Sequence, residues 1–159
     1  MIATPVGLVI RDAIPADLPG IQKLYLEFRN AGFNAPVTQS RAERFVADLH
    51  RFPGSALLVG VIEQTPVTTC TLIVVPNLTR QATPYALIEN VATASGQQGH
   101  GYGTAIVSEA VRRAFEHGCY KVMLLTGSKE PATLRFYERA GFEQSKTGFQ
   151  MRRTTVREE

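Results

Sequence analysis

Seven residues, Gln98-Gly99-His100-Gly101-Tyr102-Gly103-Thr104, carry three glycines at alternate positions. An apolar run, Leu87 to Thr93, precedes them. Behind them Ile106, Val107, Ala110, Val111, Ala114 and Phe115 recur at helical spacing. The order is therefore strand, glycine turn, helix. A helix N-terminus presents unpaired backbone N–H groups and the positive end of a dipole. Glycines let such a backbone approach a ligand closely, and phosphate or pyrophosphate is its natural guest. Alternate glycines also describe a plain tight turn. They do not complete the dinucleotide fingerprint G-x-G-x-x-G: Gly99 and Gly101 fit it, but the third glycine would fall at Thr104. The turn also comes late in the chain with no second βαβ half behind it, and no Walker Lys-Ser/Thr pair follows.

The elements around the turn must hold it in place. Residues 7–12 predict a strand, and 15–31 a helix with Pro15 in its first turn, Asp17 complementing the dipole and Gly32 as its stop. Residues 33–38 predict a loop. Ser40, with Glu43 at capping-box spacing, predicts the start of a second helix whose apolar side is Phe45, Val46 and Leu49. Residues 56–63 and 67–75 predict a hairpin joined by Gln64, Thr65 and Pro66. Residues 76–84 predict a loop, 85–93 the strand that feeds the turn, and 103–117 the helix, with Gly118 as its C′ residue. Residues 120–126 are a near-continuous apolar strand of the buried parallel kind. Pro131 to Ala140 predicts a last helix closed by Gly141, and 142–146 and 148–154 predict two final strands. The βαβ crossover from 85 to 126 makes its two strands parallel. The expected fold is α/β (α+β), one domain over 1–159 with 156–159 as a frayed tail.

Composition bounds the function. The chain has 159 residues, 44% hydrophobic and 19% charged, the balance of a globular protein. At that length one domain buries roughly two-thirds of its unfolded surface. No apolar run approaches the ~20 residues of a membrane span, and MIATPVGLVIRDA lacks the basic segment and long apolar core of a signal peptide. Cys70, in a strand-like run, and Cys119, just after a helix, read as buried free thiols. These features predict a cytoplasmic protein without membrane contact. The net charge is +3, but Lys and Arg are scattered, so a mildly basic surface or a rim that captures a polyanionic cofactor fits better than a nucleic-acid face. His50, His100 and His117 have no ligand spacing with each other or with the cysteines, so no metal is expected.

The turn resembles the acyl-CoA-binding motif of the GNAT superfamily of N-acyltransferases, Arg/Gln-x-x-Gly-x-Gly/Ala, filled here by Gln98, Gly101 and Gly103. Ile88-Glu89-Asn90-Val91-Ala92-Thr93 resembles that family's fourth strand and Leu124-Leu125-Thr126-Gly127 its fifth. Ala132 to Phe142 contains the recurring F-Y-E-x-x-G-F. Order and spacing match over nearly the whole chain. The resemblance implies a single GNAT domain: a mixed, mostly antiparallel central sheet, helices on both faces, and a parallel strand pair in the middle splayed by a bulge.

It also implies a reaction. Acetyl-CoA would be the co-substrate, its pyrophosphate held by Gln98, Gly99, His100, Gly101, Tyr102, Gly103 and Thr104. Its pantetheine arm would run along Val91, Ala92 and Thr93, with the N–H near Val91 polarising the thioester carbonyl. A primary amine would attack directly in a ternary complex. Tyr137 would be the general acid for the departing thiolate, since a phenol (pKa roughly 10) stays protonated above a thiol (roughly 8.5). The competing reading is a core aromatic sharing a face with Leu134 and Ala140. Glu89 would be the base, directly or through water, or else an ion-pair partner. Asn90, on the opposite face by strand alternation, would contact substrate, cofactor or the strand junction. Two departures stand out: Gln98 replaces the commoner Arg, and Glu130 stands where family members often carry a cofactor-binding Asn, so Lys129 or Thr133 would take that contact. Phe136 would wall the pantetheine arm or join the core. The acceptor pocket would lie between the first two helices, with Phe28, Arg29, Phe33 and Asn34 as candidates, for a small-molecule or peptide amine. The same fold also serves as a non-catalytic acyl-CoA sensor or an RNA- or ribosome-associated acetyltransferase. A homodimer is common in the family.

Overall fold

A computed structural model of the chain describes residues 4–27 and 35–153. The chain divides into two compact units, Met1–Leu124 and Leu125–Glu159.

In the first unit, β1 (Val9–Asp12) leads through a 3₁₀ turn at Pro15–Asp17 into α1 (Leu18–Leu26). After α2 (Gln39–Leu49) come β2 (Ala56–Ile62), β3 (Thr65–Val75), a short turn α3 (Thr79–Ala82), β4 (Tyr85–Thr93), α4 (Tyr102–Glu116) and β5 (Val122–Leu124). The sheet order is β1-β2-β3-β4-β5. The first four strands pair antiparallel and β4–β5 is parallel, as the crossover requires. The β2–β3 hairpin turns at Glu63 and Gln64, both at positive φ, as a two-residue type I′ loop needs. That is one residue earlier than the sequence suggests.

Two apolar layers cover the sheet. Leu57, Val59 and Val61 of β2 pack with Leu18 and Ile21 of α1 and Ala42 and Leu49 of α2. On the other face α4 buries Ile106, Val107, Ala110 and Ala114 completely, and the Cys70 thiol reaches the Ile106 carbonyl at 4.0 Å. Phe115 and Phe45, expected on apolar faces, are about half exposed. Gly60 is required by space: a Cβ there would stand 2.6 Å from Thr68 Cγ2.

Asp17 does more than face a helix dipole. Its buried carboxylate takes two hydrogen bonds from the Arg11 guanidinium, at 2.6 and 3.0 Å, and one from Ile14 N–H at 2.8 Å. Burial pushes this carboxyl up, but the Arg11 and Ile14 hydrogen bonds and the Arg11 charge outweigh it and hold it below its usual range. The second helix is capped by Thr38, whose side chain accepts from Arg41 N–H, rather than by Ser40. Glu43 instead accepts from Gln39 Nε2 at 2.8 Å. The proposed stop at Gly32 lies outside the described residues.

In the second unit α5 (Pro131–Arg139) follows Pro131 at its first turn and ends at Gly141 (φ 92°). The two strands expected at 142–146 and 148–154 do not form over 142–153. Between Phe142 and Phe149 this stretch is Glu, Gln, Ser, Lys, Thr and Gly, with no apolar alternation to bury against a sheet. Among the described residues the parallel pair therefore stands at the end of the strand order rather than inside it.

Candidate active site

The site begins where β4 leaves its neighbours. On the β5 side, pairing runs from Ala86↔Val122 to Ile88↔Leu124 and stops, while β4 continues to Thr93. On the β3 side, Thr71 pairs with Glu89 and Thr69 with Ala92. Two residues, Asn90 and Val91, thus oppose the single Cys70, which is a β-bulge. Asn90 takes φ 54°, a left-handed conformation that Asn tolerates better than most residues. The bulge overlaps the start of residues 91–93, along which the resemblance lays the pantetheine arm. It also resets the faces. Simple alternation groups Glu89 with Val91 and Thr93; the observed register groups Glu89 with Ala92 on the α1/α2 face and Ile88 with Thr93 on the α4 face. Asn90, expected opposite Glu89, is exposed at the bulge itself.

Two contacts fix this strand. The buried Thr68 hydroxyl donates to the Ala92 carbonyl at 3.0 Å and meets Thr93 Oγ1 at 3.0 Å. On the Glu89 face, the Tyr25 phenol is buried against the Thr69 and Thr71 hydroxyls. Burial pushes it up to about 12, with those hydroxyls pulling the other way. Glu89, half-buried opposite Thr71, therefore belongs to a face lined by hydroxyls.

Beyond β4 a 3₁₀ turn, Ser95–Gln97, leads to the glycines. Gly99 and Gly101 stand at φ 82° and 80°. Among the described residues nothing lies within 4 Å of a Cβ built on Gly99, and only Pro5 Cγ, at 3.6 Å, approaches one on Gly101. Backbone conformation, with positive φ at both positions, demands glycine there. Gly101 is the N-cap of α4, and Ala105 N–H bonds its carbonyl at 2.9 Å. That leaves the N–H groups of Tyr102, Gly103 and Thr104, all half-buried residues, as the donors of the first turn with no intrahelical acceptor. No acidic side chain occupies that turn to neutralise them. His100 lies with Nδ1 3.2 and 3.1 Å from the Gln97 and Gln98 carbonyls and its ring on Tyr102, centroids 5.6 Å apart. It braces the turn from within. Gln98 is exposed beside it.

In the second unit Tyr137 sits two residues before the end of α5. Phe142 N–H reaches the Tyr137 carbonyl at 3.0 Å and Gly141 N–H the Glu138 carbonyl at 3.0 Å. These are the two bonds of a Schellman motif. Its customary apolar contact is here the Tyr137 and Phe142 rings, 6.3 Å apart and edge-on. Phe136 meets the same tyrosine at 4.9 Å. The F-Y-E-x-x-G-F pattern thus has a structural basis: the glycine ends the helix and the second Phe orients the Tyr ring. Thr133 Oγ1 pairs with Ser128 Oγ at 3.2 Å, and Lys129 is exposed.

Other candidates fall away from this chemistry. A groove of about 540 Å³ is lined by Asp12, Ser55, Arg112, Arg113, Glu116 and His117, at the C-terminal end of α4. Its charges are already paired, Arg113 with Asp12 and Arg112 with Glu116. Glu109, bonded by Arg112 and Arg113, is held down at about 2. Both cysteines are free and buried; burial pushes the Cys70 thiol up to about 12, so it is a poor nucleophile. Among the described residues no cluster of three His, Cys, Asp or Glu could hold a metal, and no helix is long and apolar enough to cross a membrane. Phe28, Arg29, Phe33 and Asn34 lie outside the described residues.

This combination of a bulged strand, a parallel pair that parts after Ile88 and a glycine-capped helix defines an acyltransferase fold. The model of the acetyltransferase (GNAT) family matches residues 19–142, and the chain belongs to that family. It is 31% identical over 99 residues to the glucosamine 6-phosphate N-acetyltransferase of Trypanosoma brucei brucei, a match covering 61% of this chain and 65% of that protein. A protein of Agrobacterium tumefaciens strain C58, provisionally designated an acetyltransferase, superposes with TM-score 0.80 at 46% identity, covering 91% of this chain and 99% of that one. A transcriptional regulator from Bacillus halodurans C-125 superposes with TM-score 0.82 at 28% identity over 91% of this chain and 99% of its own.

Proposed function

We propose that the chain moves an acetyl group from acetyl-CoA to a primary amine by direct attack in a ternary complex. The observation that carries this reading is the bulge at Asn90–Val91, beside a strand edge that β5 leaves after Ile88 and upstream of a glycine-capped helix N-terminus with no acidic side chain in its first turn. An acyl-CoA fits these residues. The amides of Tyr102, Gly103 and Thr104 suit a pyrophosphate, with Gln98, Gly99, His100 and Gly101 shaping the turn. The edge of β4 at Val91, Ala92 and Thr93 suits an arm that carries amides of its own. Lys129, Thr133 and Phe136 are further candidates for cofactor contact.

The chemistry asked of the chain is modest. The amine nitrogen attacks the thioester carbonyl carbon, the C–S bond breaks, and the thiolate leaves. Glu89 takes the proton from the attacking amine, directly or through water. Tyr137 returns one to the sulfur. The Val91 N–H stabilises the oxyanion. The high Cys70 pKa argues against a covalent acyl-enzyme on that thiol.

The hydroxyls of Thr69, Thr71 and Tyr25 on the Glu89 face suit a polar acceptor that itself bears hydroxyls. The trypanosomal relative acts on glucosamine 6-phosphate according to its name, so an amino sugar phosphate heads the candidates. Buried free thiols suit the reducing cytoplasm. Phe149 and Met151, 94% and 97% exposed, offer apolar surface that a second copy can cover in a homodimer.

A thiol-release assay with acetyl-CoA and a panel of amines tests the reading. Amino sugars and their 6-phosphates are expected to release CoA well above the rate without acceptor. A panel with no acceptor-dependent release, from protein that binds acetyl-CoA, would favour a non-catalytic sensor instead.

A further inference from the structure

The last turn of α1 touches the donor side of the molecule. Glu27, the C-cap residue of α1, reaches across 68 residues of sequence and accepts the Ser95 N–H at 2.9 Å. Ser95 opens the 3₁₀ turn that carries β4 into the glycines. Around it, Ala94 N–H bonds the Val67 carbonyl at 2.9 Å and Gln97 N–H the Ala94 carbonyl at 2.9 Å. The Glu27 bond thus ties this exposed turn to a helix on the acceptor face.

The charge of Glu27 is what makes the contact informative. A carboxylate beside the approach of a polyanionic ligand weakens binding by repulsion. Holding Ser95 is the compensating role this geometry offers.

We infer that Glu27 is a positioning residue for the acyl donor: by fixing Ser95 it orders the turn leading to Gly99 and Gly101, so that α1 sets the affinity for acetyl-CoA. The inference rests on the proposed acetyl-CoA site. It gives two substitutions opposite signs. Glu27→Gln keeps a carbonyl oxygen to accept the Ser95 N–H and removes the charge. Glu27→Ala removes both.

The test is calorimetric titration of acetyl-CoA into the full chain, wild type and both variants, with steady-state kinetics on any acceptor found active. Glu27→Ala is expected to weaken acetyl-CoA binding about five-fold, as loss of one net hydrogen bond does, and to raise KM for acetyl-CoA while kcat stays within about two-fold. Glu27→Gln is expected to bind at least as tightly as wild type. Amide exchange at Ser95 to Gln97 is expected to quicken in the alanine variant only. Unchanged affinity in Glu27→Ala, or tighter binding in both variants, overturns the positioning role while leaving the donor site intact. A wild-type chain that binds no acetyl-CoA overturns the donor site, and this inference with it.

Discussion

Gly101→Val is expected to weaken acetyl-CoA binding at least about 100-fold while the protein stays folded. Gly101 holds φ 80° at the N-cap of α4, where a β-branched residue is strained by roughly 1–2 kcal/mol. Among the described residues the Cβ itself meets nothing closer than 3.6 Å, so the substitution does not force the core apart. The chain relieves the strain by rotating the cap, which turns the N–H groups of residues 102–104 away from the ligand. A hydrogen bond to a charged group contributes about 1.5–3 kcal/mol, and losing two such bonds exceeds two decades in affinity. Calorimetry measures the loss. The accompanying fall in melting temperature should be only a few degrees, since each kcal/mol shifts a domain of this size by about 2–4 °C. Binding at wild-type strength would remove the turn from the donor site.

Tyr137→Phe is expected to lower kcat about 100-fold, at the modest end of general-acid contributions, with KM for acetyl-CoA within about two-fold. The substitution isolates the hydroxyl. The ring keeps its edge-on contacts with Phe136 and Phe142, and the bonds that end α5 come from the backbone. Folding should be unaffected. Steady-state kinetics with saturating acceptor decides the outcome: normal turnover would leave Tyr137 as the packing element of a helix cap, the role its Schellman geometry already explains.

What the sequence disclosed depended on range. Gly101, Gly118 and Gly141 each announce a left-handed backbone position through local chemistry alone, and all three have positive φ. Likewise β4 spans Tyr85–Thr93 as its apolar run predicts. The bulge was harder to position, because it is defined by which β3 residues β4 faces. Only the pairing of Thr71 with Glu89 and Thr69 with Ala92 fixes it at Asn90–Val91, and only then does Glu89 acquire a face. Capping-box spacing selects Ser40 for the second helix, but Thr38 takes the cap by accepting the Arg41 N–H, and Glu43 is engaged by Gln39 instead. The Glu27–Ser95 bond and the Thr68 clamp on Ala92 join residues distant in the chain and leave no periodic signature. The terminal strands expected at 142–146 and 148–154 fail for a local reason: over residues 142–153 the side chains carry almost no apolar alternation to bury against a sheet.

The central claim is that the Gln98–Thr104 turn binds the acyl donor, and the most direct measurement is the melting temperature of the unliganded chain with and without acetyl-CoA. At about 100 times the dissociation constant a single-site ligand stabilises the folded state by about 2.7 kcal/mol. For a chain of this length that raises the melting temperature by roughly 5–10 °C, and CoA, which keeps the pyrophosphate, should produce a comparable rise. No shift with either compound at millimolar concentration would contradict the account.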